Sequence, residues 1–308
     1  MLLELLDIFI NNIAPILVIA GIGFIIGKRF ELDPRSLGKL TFNVFSPALV
    51  FSALSHSALR PLELGQIALA VGMYTALLAV MSYSVIRWRV QGQLQRVSVL
   101  LCALTGNNGN YGLPLITLAF GDEVLARAVM VFVAMIFVTY TFGVFVASSG
   151  RRSTREALTS IMRVPLIYAA LAGLVVNQLH IPIPLALDRS LTLMADGAFP
   201  TMLILLGIQL SRVRLTNYGT VALGVGLRML AAPLAALAVA LILGLPEFIL
   251  IAVIVQASMP VAVNTTVLAM EFELDSEQIS GAVLVSTLLS PVTLSFIILA
   301  LRQWSAGG

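Results

Sequence analysis

Charge is what this chain has least of. Only 11% of its 308 residues are Asp, Glu, Lys or Arg, against about 25% in an ordinary soluble domain, which excludes a water-solvated surface of the usual kind. Cysteine is nearly absent. The single Cys102 allows no internal disulfide, and its place in an apolar run makes it a packing residue rather than a reactive thiol. The two histidines, His56 and His180, fall near the ends of apolar runs, where a solvated or interfacial ring is expected. No His, Cys or carboxylate pair has metal-ligand spacing, so neither a metal nor a resident cofactor is expected. No nucleophile stands in recognisable relation to a base, which argues against an enzyme. The net charge of +3 is spread over short loops and offers no nucleic-acid patch.

What remains is 59% hydrophobic and falls into ten runs suited to spans of about 20 residues. They lie near 5–27, 37–57, 65–86, 95–119, 123–147, 161–178, 187–210, 218–243, 248–270 and 277–301. The sequence therefore predicts an all-α polytopic membrane protein whose main surrounding is the lipid bilayer. Glu4 and Asp7 stand where a cleaved signal would carry Lys or Arg, so the first run is expected to stay as a helix. Connections after odd-numbered spans hold Lys28, Arg29, Arg35, Lys39, Arg87, Arg89, Arg96, Arg151, Arg152, Arg155, Arg163, Arg212 and Arg214. The opposite side holds Arg60, Arg127, Arg189 and Arg302. This bias predicts a multi-pass protein of the cell inner membrane with both termini on the outer, periplasmic side. The acidic connection of Glu271, Glu273, Asp275 and Glu277 is cytoplasmic in this scheme, which the rule tolerates because carboxylates contribute little to it. Tyr74, Tyr83, Trp88, Tyr218 and Trp304 lie near predicted ends, as interfacial anchors do.

One stretch breaks the apolar pattern. Thr105–Leu115 reads TGNNGNYGLPL, with Asn107, Asn108 and Asn110, three glycines and Pro114 inside the run from Leu94 to Phe120. Each glycine weakens a helix by about 1 kcal/mol, and Pro114 disfavours a helical Leu113. The chain is expected to unwind here. Freed backbone groups are costly in hydrocarbon unless protein or water satisfies them, so the unwound stretch is expected to line a protected cavity.

A second break stands in QASMPVAVNTT, Gln256–Thr266, around Pro260. Pro47, in NVFSP with Asn43, and Pro200, in DGAFP with Asp196, form another pair, so Pro47 and Pro200 are 153 residues apart and Pro114 and Pro260 are 146 apart. The chain thus divides into 1–150 and 151–308, joined by a connection at Gly150–Arg163. Five spans per half force the second copy upside down, and inverted repeats with interrupted spans in matching places point to a secondary transporter. Broken spans 4 and 9 are expected to cross, with the second part of each starting at its proline. Half-helix N-termini carry about half a positive charge each, which favours an anion. Asn107, Asn108, Asn110, Tyr111, Pro114, Gln256, Pro260 and Asn264 are the candidate substrate-binding residues. Their amides donate and accept, and they serve equally as the groups that satisfy a broken backbone.

Two charges lie inside spans. Asp196 is the candidate for coupling to a H⁺ or Na⁺ gradient, and Arg228 is a candidate fork for a substrate carboxylate. The alternative is that the two form a structural pair. A channel is the second functional reading, although a single Gly-rich loop does not supply the repeated carbonyls of a filter.

The stretch GNYGLPL at Gly109–Leu115, the ten-span outline, the outward termini and the Met259–Pro260 break together resemble the auxin efflux carrier family. The short central loop is similar to that of its bacterial branch, which includes permeases annotated for malate and malonate. The resemblance covers the whole chain and is sharpest at Gly109–Leu115. It implies a fold like that of sodium/proton antiporters and bile-acid symporters, with helices 1, 2, 6 and 7 as scaffold and helices 3–5 and 8–10 as a moving transport domain. It further implies a homodimer formed through the scaffold and a small organic anion as substrate, held where Asn110, Pro114 and Pro260 meet and moved by an elevator-type step. It does not identify the anion.

Overall fold

The computed structural model of the protein describes residues 1–30, 32–143, 162, 164–213 and 218–307. Apart from Met162, the expected junction at Gly150–Arg163 lies outside the described residues, as do Arg214 and the Tyr218 side chain. Among them the regular structure is helical, and the one extended feature is an isolated antiparallel bridge between Gly106 and Val261.

The elements are α1 (Leu2–Arg29), α2 (Pro34–Ser55), α3 (Pro61–Arg89), α4 (Gln93–Leu104), α5 (Asn108–Thr141), α6 (Pro165–Gln178), α7 (Leu185–Leu210), α8 (Gly219–Leu243), α9 (Glu247–Ala257), α10 (Asn264–Glu271) and α11 (Ser276–Ser305). Seven of these, α1, α2, α3, α5, α7, α8 and α11, are long and apolar enough to cross a membrane, while α4, α6 and α9 are shorter apolar helices.

Proline shapes several of them in the same way. Wide turns at Phe9–Ile13, Thr41–Phe45, Asn108–Gly112 and Leu227–Ala231 each stand directly before an X-Pro pair, Pro15, Pro47, Pro114 and Pro233 respectively. Proline has no N–H to give, and its ring crowds the carbonyl four residues back. One extra residue in the turn carries the hydrogen-bond ladder around both problems.

α5 is not one straight rod. Its 34 residues would reach about 51 Å at 1.5 Å per residue, well beyond a hydrocarbon core of about 30 Å. Gly121, at φ 74° and ψ −169°, breaks it in a region that only glycine enters readily. The neighbours show that the chain reverses there. A Cβ on Gly109 would lie 2.9 Å from the Phe132 ring, and a Cβ on Gly112 would lie 2.5 Å from Gln256, whose amide also donates to Ala128 O at 3.3 Å. Residues 109 and 112 thus face 132 and 128, placed evenly about Gly121. The sequence boundary expected near 120–122 becomes a one-residue corner instead of a loop.

α1 packs along the second part of α7, and α2 packs on α6 and the first part of α7. The α1–α7 contact is close because Gly23 and Gly207 have no side chains. A Cβ on Gly23 would meet the Ile204 backbone, and one on Gly207 would meet Ala20 and Phe24. The α6 end is stitched to the α2–α3 connection by Asn177, which donates to Ser55 O and Ser57 O, and by Gln178, which donates to Leu59 O. A second set packs together as α3 with α4, α5 and α8, and α9 with α5 and α8, while α11 lies against α8, α4 and α10.

The aromatic anchors divide. Trp88, Tyr83 and Trp304 are exposed, whereas Tyr74 is fully buried and its hydroxyl meets Met135 Sδ at 2.9 Å. Tyr74 sits midway along α3 and faces the second arm of α5, so it packs between helices and does not anchor an interface.

Candidate functional site

Both breaks leave the helix before their prolines. α4 ends at Leu104 and α9 ends at Ala257; the chain then runs extended or irregular to Asn107 on one side and to Val263 on the other. The two open segments satisfy each other. Asn107 N donates to Pro260 O at 2.8 Å, and Ala262 N donates to Thr105 O at 3.0 Å, in antiparallel sense. Val261 N, which this pairing leaves over, donates to Ser286 Oγ of α11 at 3.0 Å. Backbone groups that cost several kcal/mol each when orphaned in hydrocarbon are thereby paired across the crossing.

Side chains complete the joint. Thr105 Oγ1 and Thr265 Oγ1 lie 2.7 Å apart. Asn108 Nδ2 donates to Gln256 O and Gln256 Oε1, both at 2.8 Å. Tyr111 is fully buried, and its hydroxyl accepts from Ser290 Oγ at 3.3 Å. The glycines of the stretch are explained by close approach. A Cβ on Gly106 would strike the Arg228 guanidinium, and those on Gly109 and Gly112 would strike Phe132 and Gln256.

Arg228 sits under the crossing with no exposed surface. Its Nε donates to Met259 O at 2.8 Å, one terminal nitrogen to Ala103 O at 3.2 Å, and the other to Ala257 O at 3.0 Å and Gln256 O at 3.3 Å. These are carbonyls at and beyond the ends of α4 and α9, where a helix has no N–H left to offer them. In this arrangement the fork expected to hold a substrate carboxylate is occupied by the protein's own backbone. The alternative of an Asp196–Arg228 pair is also corrected: no ion pair joins them among the described residues, because Asp196 lines a separate cavity.

Two cavities flank the crossing. The first, about 750 Å³, lies between α1, α2 and α7 on one side and the corner of α5 on the other; it is lined by His56, Pro114, Thr117, Asp122, Asp196 and Pro200, among others. Asp196 is the last residue before α7 bends at Gly197, and it is exposed to this space. The second, about 450 Å³, opens beside Asn43 and Tyr140 and reaches Thr105, Gly106, Asn108 and Asn264 of the crossing. Asn264 is exposed there. Pro260 and Gln256 are buried in the joint itself.

Of the buried side-chain atoms without a partner among the described residues, two belong to the asparagines of the crossing. Asn107 Nδ2 and Asn110 Oδ1 are buried within residues only 4% and 3% exposed. One is a donor and the other an acceptor, and their place in the crossing, beside two half-helix starts, leaves both open to a further group. The structure brings Asn107, Asn108, Asn110, Tyr111, Gln256, Pro260 and Arg228 together at the crossing, with Asn264 on the second cavity and Pro114 and Asp196 on the first. Ser286 was missed; it stands in an ordinary Ser/Thr row of an apolar run, and nothing in its spacing distinguishes it from helix packing.

A helical protein with several membrane-length segments and a polar, broken-helix joint between two cavities belongs to the class of membrane transporters. The sequence profile of the family described as membrane transport protein matches residues 8–157 and 147–298. The chain is 27% identical over 290 residues to an uncharacterized transporter of Methanothermobacter thermautotrophicus, covering 92% of this chain and 95% of that one. It is 23% identical over 303 residues to the uncharacterized transporter YfdV of Escherichia coli K12, covering 94% and 96%. Over 152 residues it is 30% identical to the probable auxin efflux carrier component 5b of Oryza sativa subsp. japonica, 47% of this chain and 41% of that one. The protein belongs to the auxin efflux carrier family of membrane transporters.

Proposed function

We propose that the protein is a secondary carrier for a small organic anion, a carboxylate, built as two inverted five-helix repeats of which α4 with the first arm of α5, and α9 with α10, are the interrupted members. The observation that carries this reading is the unpartnered buried donor Asn107 Nδ2 at a joint of two half-helix starts; the unpartnered acceptor Asn110 Oδ1 suits a donor group on the same molecule, such as a hydroxyl, and not the carboxylate itself. Half-helix N-termini favour negative charge, and amides orient it without the cost of a second buried ion. Asn108, Tyr111, Gln256 and Pro260 shape that joint, Asn264 meets the anion from the second cavity, and Pro114 faces the first. Arg228 acts beneath the site instead of on the substrate.

Movement is of the elevator type. α1, α2, α6 and α7 form the scaffold, also the face of a homodimer, and the remaining helices carry the crossing past it. The cavities on opposite sides of the joint are the two access routes, with the termini outside an inner membrane as the Lys and Arg bias orients it. Asp196, on the scaffold wall of the larger cavity, is placed to couple a H⁺ or Na⁺ gradient.

Proteoliposomes loaded with unlabelled carboxylates and given a labelled mono- or dicarboxylate test the reading. Saturable uptake with counterflow is expected, abolished by Asn110→Ala and retained, free of gradient dependence, in Asp196→Asn. Flux that does not saturate and shows no counterflow sinks the carrier and supports a channel.

A further inference from the structure

Among the described residues two arginines are buried, and they differ in one respect. Arg127 is 5% exposed and ion-paired to Glu63 and Glu123, both at 2.9 Å. Arg228 is wholly buried, and among the described residues no carboxylate stands within ion-pair distance of it. Its four acceptors are carbonyl oxygens. Carbonyls solvate a guanidinium, but they are neutral groups and leave its unit charge uncancelled. Helix dipoles do not cancel it either, since each contributes as much positive charge at one end as negative at the other. A guanidinium cannot escape by losing its proton in a protein.

Arg228 is also the tie that makes α8 move with the joint. It links α8 to the last turns of α4 and α9, and the Gly106 backbone packs directly on its guanidinium. Any displacement of the crossing takes this charge along.

Resting on the elevator reading, we propose that Arg228 is the positioning residue of the joint and its moving charge, so that membrane potential acts on the reorientation of the empty carrier. An empty joint carries a net positive charge across the field, and a bound monocarboxylate brings it to zero. A dicarboxylate reverses its sign. If the charge crossed the whole field, 100 mV would shift the balance between the two facings by up to about fiftyfold.

The experiment needs no identified substrate. Val267, exposed on the second cavity, and Leu118, exposed on the first, are each replaced by cysteine in otherwise intact protein, whose native Cys102 is buried. Labelling by a methanethiosulfonate reagent is followed in substrate-free proteoliposomes under potassium/valinomycin potentials of either sign. The expected result is that reversing the potential raises the labelling rate at one position and lowers it at the other. Arg228→Lys keeps this reciprocity and Arg228→Gln flattens it. Flat labelling with Arg228 in place overturns the proposal, as does a slope that survives in Arg228→Gln. Should Arg228→Gln fail to assemble, the unmodified background alone decides between reciprocal and flat. Flat labelling together with normal counterflow refutes the role of Arg228 and leaves the carrier standing, whereas absence of counterflow refutes the carrier.

Discussion

The two broken helices meet in one joint but are built differently. The first break is crowded with special residues. Its three glycines stand where a Cβ would strike Arg228, Phe132 or Gln256, its amides are nearly all buried, and one glycine, Gly121, turns the chain back. The second break has one proline, no glycine, an amide left exposed at Asn264, and a four-residue turn, 272–275, where the first has a single corner. It is held largely by what others donate or accept: Thr105 O, Ser286 Oγ and the Arg228 guanidinium. One half supplies the shape of the joint, and the other half is fitted to it. The first break is therefore expected to tolerate substitution least.

Gly106→Val is the sharpest way to break that comparison. The added carbons meet a guanidinium pinned by four carbonyls, so the full overpacking cost applies, about 3 kcal/mol. Poor recovery of monodisperse protein and a lowered melting temperature in detergent are expected. A stable Gly106→Val carrier means that the first break is not the rigid half.

Next comes the pair Asn108→Ala and Asn264→Ala. Removing Asn108 strands the buried Gln256 side-chain oxygen, a loss of about 1–3 kcal/mol, while Asn264 is exposed and its loss is expected within about 0.5 kcal/mol. Thermal denaturation of the two variants side by side reads the difference, and equal losses erase the asymmetry.

Ser286→Ala is the mildest of the changes made at a buried position. It removes one neutral acceptor from Val261 N–H, worth about 1 kcal/mol. Hydrogen exchange at Val261 is expected to accelerate while the Asn107–Pro260 bond keeps its protection. Uniform acceleration of both indicates that the two breaks open as a unit.

Where the chain had to unwind was legible from composition. Three asparagines, three glycines and Pro114 inside an apolar run leave little alternative, and Met259–Pro260 marks the second place. Membrane character was equally plain, because a chain with 11% charged residues cannot cover a soluble surface. The roles of single residues were less legible. Arg228 reads from sequence as an intramembrane charge seeking an anion, and Asp196 as its nearest counterpart in depth. Depth along a helix says nothing about which neighbour a side chain faces. The structure turns Arg228 toward four carbonyls and Asp196 toward a cavity between α7 and the corner of α5.

The sequence by itself determined the solvent this protein was made for and the two places where its helices fail, since both follow from local rules: hydropathy over a window, and the inability of proline and glycine to sustain a helix. Only the tertiary structure decided which carbonyls a buried guanidinium would cap, that Ser286 would close Val261, and that one glycine would reverse α5. Those outcomes depend on groups brought together from more than a hundred residues apart in several cases, such as Arg228 with Ala103. A buried polar group takes whatever partner the packing places beside it, and no periodicity in the chain encodes that choice.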